Sequence, residues 1–192
     1  MPKFTFGWTN TFRYKNFDLS VFINGSYGNK VYNYLSMKLT HMNSPWTNQL
    51  NAVNGRAQLV PINPNKVYED GTMWYNDVSN VMVANPGASI PRATINDPND
   101  TDRISDRYIE DGSYIRLKNI SLGYTFPKKT IDKLGLSNLR IYANIQNLLT
   151  ITGYDGYDPE IGASTSSVNV YGLDNGRYPS PTVYSFGLNV SF

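Results

Sequence analysis

Oxygen-bearing side chains are concentrated in one polar segment of the chain, NDPNDTDRISD, which begins at residue 96. Its four aspartates are Asp97, Asp100, Asp102 and Asp106. Carboxylate oxygens are the ligands that Ca²⁺ prefers, but the segment has neither the central glycine nor the closing glutamate of an EF-hand loop. A solvated loop without a metal ion is therefore predicted. Asp97, Asp100 and Asp102 are the candidate ligands for the alternative, a Ca²⁺ ion in an extracellular loop.

His41 is the sole histidine, and the sequence contains no cysteine. A Ser-His-Asp arrangement or an imidazole metal site would depend on His41, and no second ligand at a recognised spacing is near it. We therefore expect a solvent-facing loop histidine. The absence of cysteine excludes disulfides, thiolate metal sites and cysteine nucleophiles. Paired carboxylates, a glycine-rich phosphate loop and a nucleophile elbow are also missing, so the sequence predicts neither an enzyme nor a cofactor.

Large aromatic side chains occur in equally aperiodic parts of the sequence. They are Trp46, Trp74, Tyr75, Tyr154 and Tyr157. Exposed aromatic faces could stack on sugar rings or pack against a second protein, and they could equally form small cores that hold long loops together. Both interpretations stay open. The carboxylates of GYDGYDPE (153–160) are attributed to turn formation by Gly and Asx residues.

Five segments have the period-two alternation of apolar and polar residues that is typical of β-strands. They cover residues of about 3–14, 17–27, 113–126, 139–150 and 179–192. In the last of them, Leu188 and its apolar neighbours alternate with serine, glycine and asparagine. The alternation changes phase near Lys118 and Asn119, which predicts a β-bulge there.

The polar faces of these segments indicate the class of protein. They carry Thr, Ser, Asn and Gly, and charged residues make up only 17% of the chain. A polar but weakly charged face opposite an apolar and aromatic one favours an all-β, antiparallel transmembrane β-barrel segment. No apolar run of about 18 residues exists, which excludes a transmembrane helix. The net charge of +2, without a cluster of basic residues, excludes nucleic acid as a partner. A β-sandwich that binds glycans and a small outer-membrane barrel that acts as an adhesin are the alternatives.

The lengths of the connections suggest an orientation. Residues 15–16 and 127–138 are short enough for periplasmic turns, whereas 28–112 and 151–177 are long enough for extracellular loops. The 28–112 segment is either a small domain of its own or a set of loop elements. Five strands do not close a barrel, so further strands are expected before Met1 or from another chain. The start also lacks a signal peptide, which suggests a C-terminal fragment.

Four stretches resemble the C-terminal part of the SusC/RagA family of TonB-dependent outer-membrane transporters. They are WTNTFRYKNFDLSVFINGSYGNKVYN (8–33), SYIRLKNISLGYTFP (113–127), LRIYANIQNLLTITGYDGYDPE (139–160), with its N-x-x-N-L pattern, and YPSPTVYSFGLNVSF (178–192). The resemblance covers essentially the whole chain, and the four stretches follow one another in the family's order.

The resemblance implies the last five strands of a barrel of about 22 strands in the outer membrane of a Gram-negative bacterium. Such transporters import oligosaccharides or peptides, take energy from TonB through an N-terminal part absent from this sequence, and pair with a SusD-like surface lipoprotein. Trp46, Trp74, Tyr75, Tyr154 and Tyr157 would contact the substrate or this lid. Phe192, with Tyr184 and Phe186, would be the barrel-closure and assembly signal. Arg116 and Arg140 would face the lumen, where carboxylates of the plug are their expected partners.

Overall fold

The structure is a computed structural model, and it describes residues 1–97, 99–161 and 171–192. Two compact units are present: residues 1–33 with 109–192 form the first, and residues 34–108 form the second. Parts of both predicted loops, Pro98 and residues 162–170, lie outside the described residues. No helix among the described residues is long and apolar enough to cross a membrane.

Strands dominate the part of the chain that the structure describes. In chain order they are β1 Phe4–Tyr14, β2 Phe17–Tyr27, β3 Lys30–Asn33, β4 Leu59–Pro61, β5 Val81–Val83, β6 Ile109–Asp111, β7 Tyr114–Thr125, β8 Asn138–Thr152, β9 Leu173–Asp174 and β10 Val183–Ser191. The helices are α1 Tyr34–Thr40 and α2 Lys128–Ile131, and the short 3-10 turns are Asn51–Gly55, Trp74–Asn76, Val78–Asn80, Asp106–Tyr108 and Asp132–Leu134.

The five long strands form one antiparallel sheet in the order β1-β2-β7-β8-β10. Each predicted segment overlaps one of these strands. β10 begins at Val183, later than the predicted start near residue 179, because Pro179 and Pro181 have no N–H to donate to a ladder. β8 is longer than predicted because Ile151 and Thr152 continue to pair with β7.

The strand register places polar residues beside polar residues along a row that crosses four of the five strands. On the polar face, Ser20 pairs with Ser121, which pairs with Asn144, which pairs with Ser185. On the opposite face, apolar residues remain exposed, with Phe186 83% and Leu188 60% accessible. A β-sandwich would bury this face against a second sheet. The described residues instead form an antiparallel β-barrel segment with one apolar and one polar face.

The predicted bulge is confirmed between Leu117 and Asn119, where the register of β7 against β8 shifts. Opposite Lys118, β8 holds two residues, Asn147 and Leu148, between its paired neighbours. Asn147 adopts a φ of 53°, a left-handed conformation that asparagine tolerates better than most residues. The asparagine-leucine end of the N-x-x-N-L pattern therefore forms the bulge.

Gly123 is needed where an ion pair crosses the polar face. Arg140 on β8 donates from Nη2 to Asp18 Oδ2 on β2 at 2.6 Å, although β7 lies between the two strands. A Cβ atom at Gly123 would lie 2.2 Å from Nη2 of Arg140. Glycine on β7 therefore leaves the space through which the two side chains meet. Arg140 thus has a carboxylate partner within the same sheet, and a plug partner for it stays a prediction.

The segment predicted as one long loop, 28–112, has a short strand near each end, both of which belong to the first unit, and contains the second unit, residues 34–108, between them in the chain. Residues 30–33 and 109–111 form β3 and β6, which pair with each other. Between them, α1 buries Met37, and β4 and β5 form an antiparallel pair. Asn80, only 4% exposed, accepts a hydrogen bond from Asn63 N at 2.7 Å and thereby closes one of the turns. Residues 34–108 therefore form a compact unit, as in the alternative of a small domain. The sequence showed few periodic runs here because buried polar side chains such as Asn80 help to hold this unit together.

Candidate functional site

An ion cluster joins the polar face of the sheet to the loop that follows β8. Arg116 on β7 donates from Nη1 to Glu160 Oε2 at 2.6 Å, and its Nη2 forms a second ion pair with Asp158. Its Nε donates to Thr150 Oγ1 at 2.8 Å. Lys118 Nζ lies 2.8 Å from the same Glu160 oxygen. Two carboxylates therefore neutralise two cations, and both carboxylates belong to the GYDPE sequence.

The strand register determines why Arg116 meets these carboxylates. Arg116 pairs with Thr150 on β8, and the chain leaves β8 only two residues later. The loop thus returns directly over Arg116, whose side chain is 4% exposed. Burying such a charge is costly unless ionic partners and hydrogen bonds replace its hydration, and here all three of its nitrogens have an acceptor. Asp158 and Glu160 of its own chain therefore bind Arg116, and a plug partner for Arg116 stays a prediction.

Asp158 is the most strongly held carboxylate of this cluster. Burial disfavours its charged form, but the Ser180 N–H, the Arg116 guanidinium and the Glu160 N–H all donate to it. These donors prevail and lower the pKa of Asp158 to about 2. Asp158 therefore stays ionised at any physiological pH and ties residue 180, just before β10, to the loop after β8.

Acid is expected to release this loop. The folded pKa of Asp158 lies below its value of about 3.9 in an unfolded chain, so its stabilising effect is complete above pH ~4 and is lost as the pH falls through about 2. Hydrogen exchange at Ser180 N–H and Glu160 N–H, corrected for the intrinsic rate, should show protection that disappears between these values. Gly176 N–H, which donates to Asp174 instead, serves as a control within the same loop. Protection at Ser180 that survives below pH 2 would contradict the assignment.

Tyr154 belongs to a second anchor of the same loop. Its hydroxyl donates to Asp174 Oδ2 at 2.5 Å, and the Gly176 N–H donates to Asp174 Oδ1 at 2.9 Å. Burial and the neighbouring Asp174 carboxylate raise the pKa of Tyr154. Because Tyr154 is only 5% exposed, its ring is not available to a substrate or lid, and the predicted contact is wrong for this residue. Nothing local in the sequence pairs Tyr154 with Asp174, which lies 20 residues away.

A cavity of about 910 Å³ lies beside the ion cluster. Strands contribute Lys30 and Tyr114 to its lining, and the loop contributes Glu160 and Tyr178. Its volume is in the range of small-molecule and peptide-side-chain sites, and its walls offer both charges and aromatic rings. The sequence indicated the carboxylates and aromatics of this region but not the cavity, which depends on the folding of the loop over β7.

The other predicted aromatic contacts are distributed over both units. Trp46 is 93% exposed in the second unit, and Tyr157 is 64% exposed in the first. Trp74 and Tyr75 lie edge to face, with ring centroids 5.7 Å apart, at a separate cavity of the second unit. These four residues remain predicted contacts, since each is at least partly exposed.

His41 is not the solvent-facing residue that the sequence suggested. It is 8% exposed, and Asp97 and Asp102 lie against its imidazole ring. Ligand atoms of these three side chains lie within 4.8 Å of one another, a group that could hold a metal ion. Asp100, the third predicted aspartate, is not a member. The sequence missed this group because His41 and Asp97 are far apart along the chain, at no recognised spacing.

The predicted closure signal lies at an edge of the sheet. Among the described residues, β10 pairs with β8 on one side only. Tyr184, Phe186 and Phe192 are 61%, 83% and 93% exposed, all on or at the end of the apolar face. Ser137 N–H donates to Ser191 O at 2.8 Å and holds the end of the strand. Their role in assembly stays a prediction.

The comparisons with known proteins agree with this geometry. The chain is 35% identical over its whole length to TonB-dependent receptor P3 of Formosa agariphila, and 29% identical over 97% of its length to TonB-dependent receptor SusC of Bacteroides thetaiotaomicron. It spans 16% and 15% of the length of these two relatives. No protein-family model matches the chain.

A solved structure gives the same result for the fold. The RagAB peptide importer in its closed-closed state superposes on the whole chain with a TM-score of 0.69 at 20% identity, and the match covers 17% of the solved chain. Similarity along the entire sequence and the shared fold lead to one conclusion: the chain belongs to the SusC/RagA family of TonB-dependent receptors, of which it is a β-barrel segment.

Proposed function

We propose that the chain forms part of the wall and external loops of a TonB-dependent importer of nutrients in the outer membrane of a Gram-negative bacterium. The observation that carries the proposal is the two-faced sheet of a chain whose relatives, along its full length, are TonB-dependent receptors. The apolar face would meet lipid, and the polar face would line the lumen. This segment would supply wall and loops, while coupling to TonB would come from another part of the protein.

Oligosaccharides or peptides are the substrates that we propose. The RagAB peptide importer suggests peptides, and the resemblance of the sequence to the SusC/RagA family suggests both classes. The cavity lined by Lys118 and Glu160 supports the same choice, because its charged and aromatic lining suits a polar, flexible ligand better than an apolar one. No part of this role requires an enzymatic step by these residues.

A SusD-like surface lipoprotein is the proposed partner, and exposed aromatic residues of the loops are its proposed contacts. Trp46 and Tyr157 present large rings to solvent. Aromatic residues are enriched at protein interfaces relative to the rest of the surface, so these rings are suited to contact a partner. The RagAB importer and SusC motivate this choice of partner.

Uptake measurements test the proposal. Cells in which the gene encoding this segment is deleted are expected to lose uptake of either an oligosaccharide or a peptide pool, and complementation should restore it. Unchanged uptake of both pools would reject the transport function.

Trp46→Ala is expected to lower uptake or lipoprotein co-purification at least tenfold, as the loss of an aromatic hot spot typically does. Its matched control is Val78→Ala, which removes a side chain that is 91% exposed in the same unit. Since Trp46 packs against little of its own chain, both variants should keep normal amounts of folded protein in the outer membrane. If Trp46→Ala behaves like Val78→Ala, the ring has no role as a contact, although the transport function itself would be unaffected by that result.

A further inference from the structure

The group His41, Asp97 and Asp102 lies within the second unit and has no role in the proposed transport function. His41 follows α1 directly, and its N–H donates to Met37 O at 3.1 Å. Thr94 N–H donates to Met42 O at 3.2 Å, which draws the segment before Asp97 towards the histidine. The bond between residues 94 and 42 thus brings the histidine and the aspartate together from opposite ends of the unit.

The contact between His41 and Asp97 is not an ordinary hydrogen bond. Nε2 of His41 is buried and has no hydrogen-bond partner, although Asp97 Oδ2 is 3.2 Å away. The two findings agree when the oxygen lies beside the axis along which Nε2 donates or accepts, so that the distance is short and the angle is poor. That axis is then free to point at something else, while the carboxylate remains next to it. Two ligands of one metal ion are related in this way.

Asp97 is held in place for such a role. Thr101 donates to it twice, from its N–H at 2.6 Å and from its hydroxyl at 2.8 Å. Hydrogen bonds from the surroundings to a carboxylate ligand are what orients metal ligands in proteins.

We propose that His41, Asp97 and Asp102 bind a divalent transition-metal ion, with Zn²⁺ the best match. One imidazole nitrogen and two carboxylate oxygens are the ligand types that Zn²⁺ accepts at about 2.0–2.2 Å. Ligand atoms of a tetrahedral site with such bonds lie about 3.3 Å apart, close to the 3.2 Å between Nε2 and Asp97 Oδ2. Asp102 Oδ2 lies 3.9 Å from Nδ1 of the ring, so its side chain, which is 37% exposed, must rotate towards Nε2 to reach an ion bound there. Water would complete the coordination.

The choice of metal differs from the Ca²⁺ that the aspartates alone suggested. Ca²⁺ takes six to eight oxygen ligands and no imidazole. Here one of three ligands is nitrogen, and Asp100 is outside the group. The ion would join residue 41 to residues 97–102 and stiffen the second unit, since the same chain would be held at two distant points.

Metal titration of the full chain in detergent micelles tests the proposal. After treatment with a chelator and dialysis, Zn²⁺ is expected to bind with 1:1 stoichiometry in isothermal titration calorimetry, and Co²⁺ should give the visible absorption of a tetrahedral site. Asp97→Asn and Asp102→Asn should each weaken Zn²⁺ binding at least tenfold. Asp100→Asn removes the same charge from the same loop and is expected to bind Zn²⁺ like the unaltered chain.

Each result decides for or against the site. Loss of binding in the two variants but not in Asp100→Asn supports it, and His41→Gln should then abolish the Co²⁺ spectrum. Asp102→Asn alters a partly exposed side chain, so its effect can be measured even where His41→Gln does not fold. Absence of 1:1 binding, equal weakening by Asp100→Asn, or Ca²⁺ displacing Zn²⁺ at equal concentration would each overturn the proposal in favour of a histidine paired with two carboxylates.

Discussion

Leu188→Arg is expected to destabilise the folded protein by about 2–4 kcal/mol, whereas Asn189→Arg should cost about 1 kcal/mol or less. The two residues are neighbours on β10, and both are exposed. Leu188 pairs with Ile141 on the apolar face, and Asn189 pairs with Arg140 on the polar face. If the apolar face meets lipid, an arginine there must be buried in hydrocarbon, while an arginine on the polar face stays hydrated.

The measurement is urea unfolding of the transporter that carries this segment, refolded into phospholipid vesicles. Asn189→Arg is the matched control because it introduces the same side chain one position away. The like charge of Arg140 opposite residue 189 adds a small destabilisation to the control. The difference in unfolding free energy between the two variants is therefore a lower bound on the cost of placing arginine in lipid. Equal destabilisation by both variants would contradict the orientation of the sheet, and the reverse order would exchange its two faces.

The alternation of apolar and polar residues was sufficient to predict the five long strands and their faces, but not the short strands β3, β4, β5, β6 and β9. It could do so because neighbouring strands keep paired residues on one face, as in the row from Ser20 to Ser185. The phase change near Lys118 predicted the irregularity of β7, where Lys118 is the extra residue against β2. The extra residue of β8 at Asn147 has no signal in the alternation. A left-handed asparagine is chosen by backbone geometry rather than by polarity.

The contacts of the site could not be predicted in the same way. Arg116 meets Asp158 across 42 residues, and His41 meets Asp97 across more, so neither pair has a fixed spacing to recognise. Carboxylates that were attributed to turns do form turns, since Asp158 accepts the Glu160 N–H, but they also bind the arginine. Asp158 thus has a local role in the turn and a long-range role as a partner of Arg116, and only the folded structure shows the second role.

Arg116→Met is the substitution in the polar cluster with the largest expected cost, about 3–5 kcal/mol. Arg116 is almost fully buried and pairs with Asp158 and Glu160, whose side chains are 11% and 35% exposed. Methionine keeps much of the volume but leaves two carboxylates without the guanidinium that compensates them. The loop after β8 is therefore expected to leave the sheet, and proteolysis of residues 153–161 should become faster.

Lys118→Met is the matched control, because it removes the other cation of the cluster. Lys118 Nζ contacts the same Glu160 oxygen at 2.8 Å, but its side chain is 32% exposed, so the pair is worth at most about 1 kcal/mol. Adding Asp158→Asn and Glu160→Gln to Arg116→Met should recover part of the lost stability, because no uncompensated charge then stays buried. Equal costs for Arg116→Met and Lys118→Met in urea unfolding would show that burial of the guanidinium does not hold the loop. Absence of any recovery in the triple variant would show that the loss comes from packing around Thr150 rather than from charge.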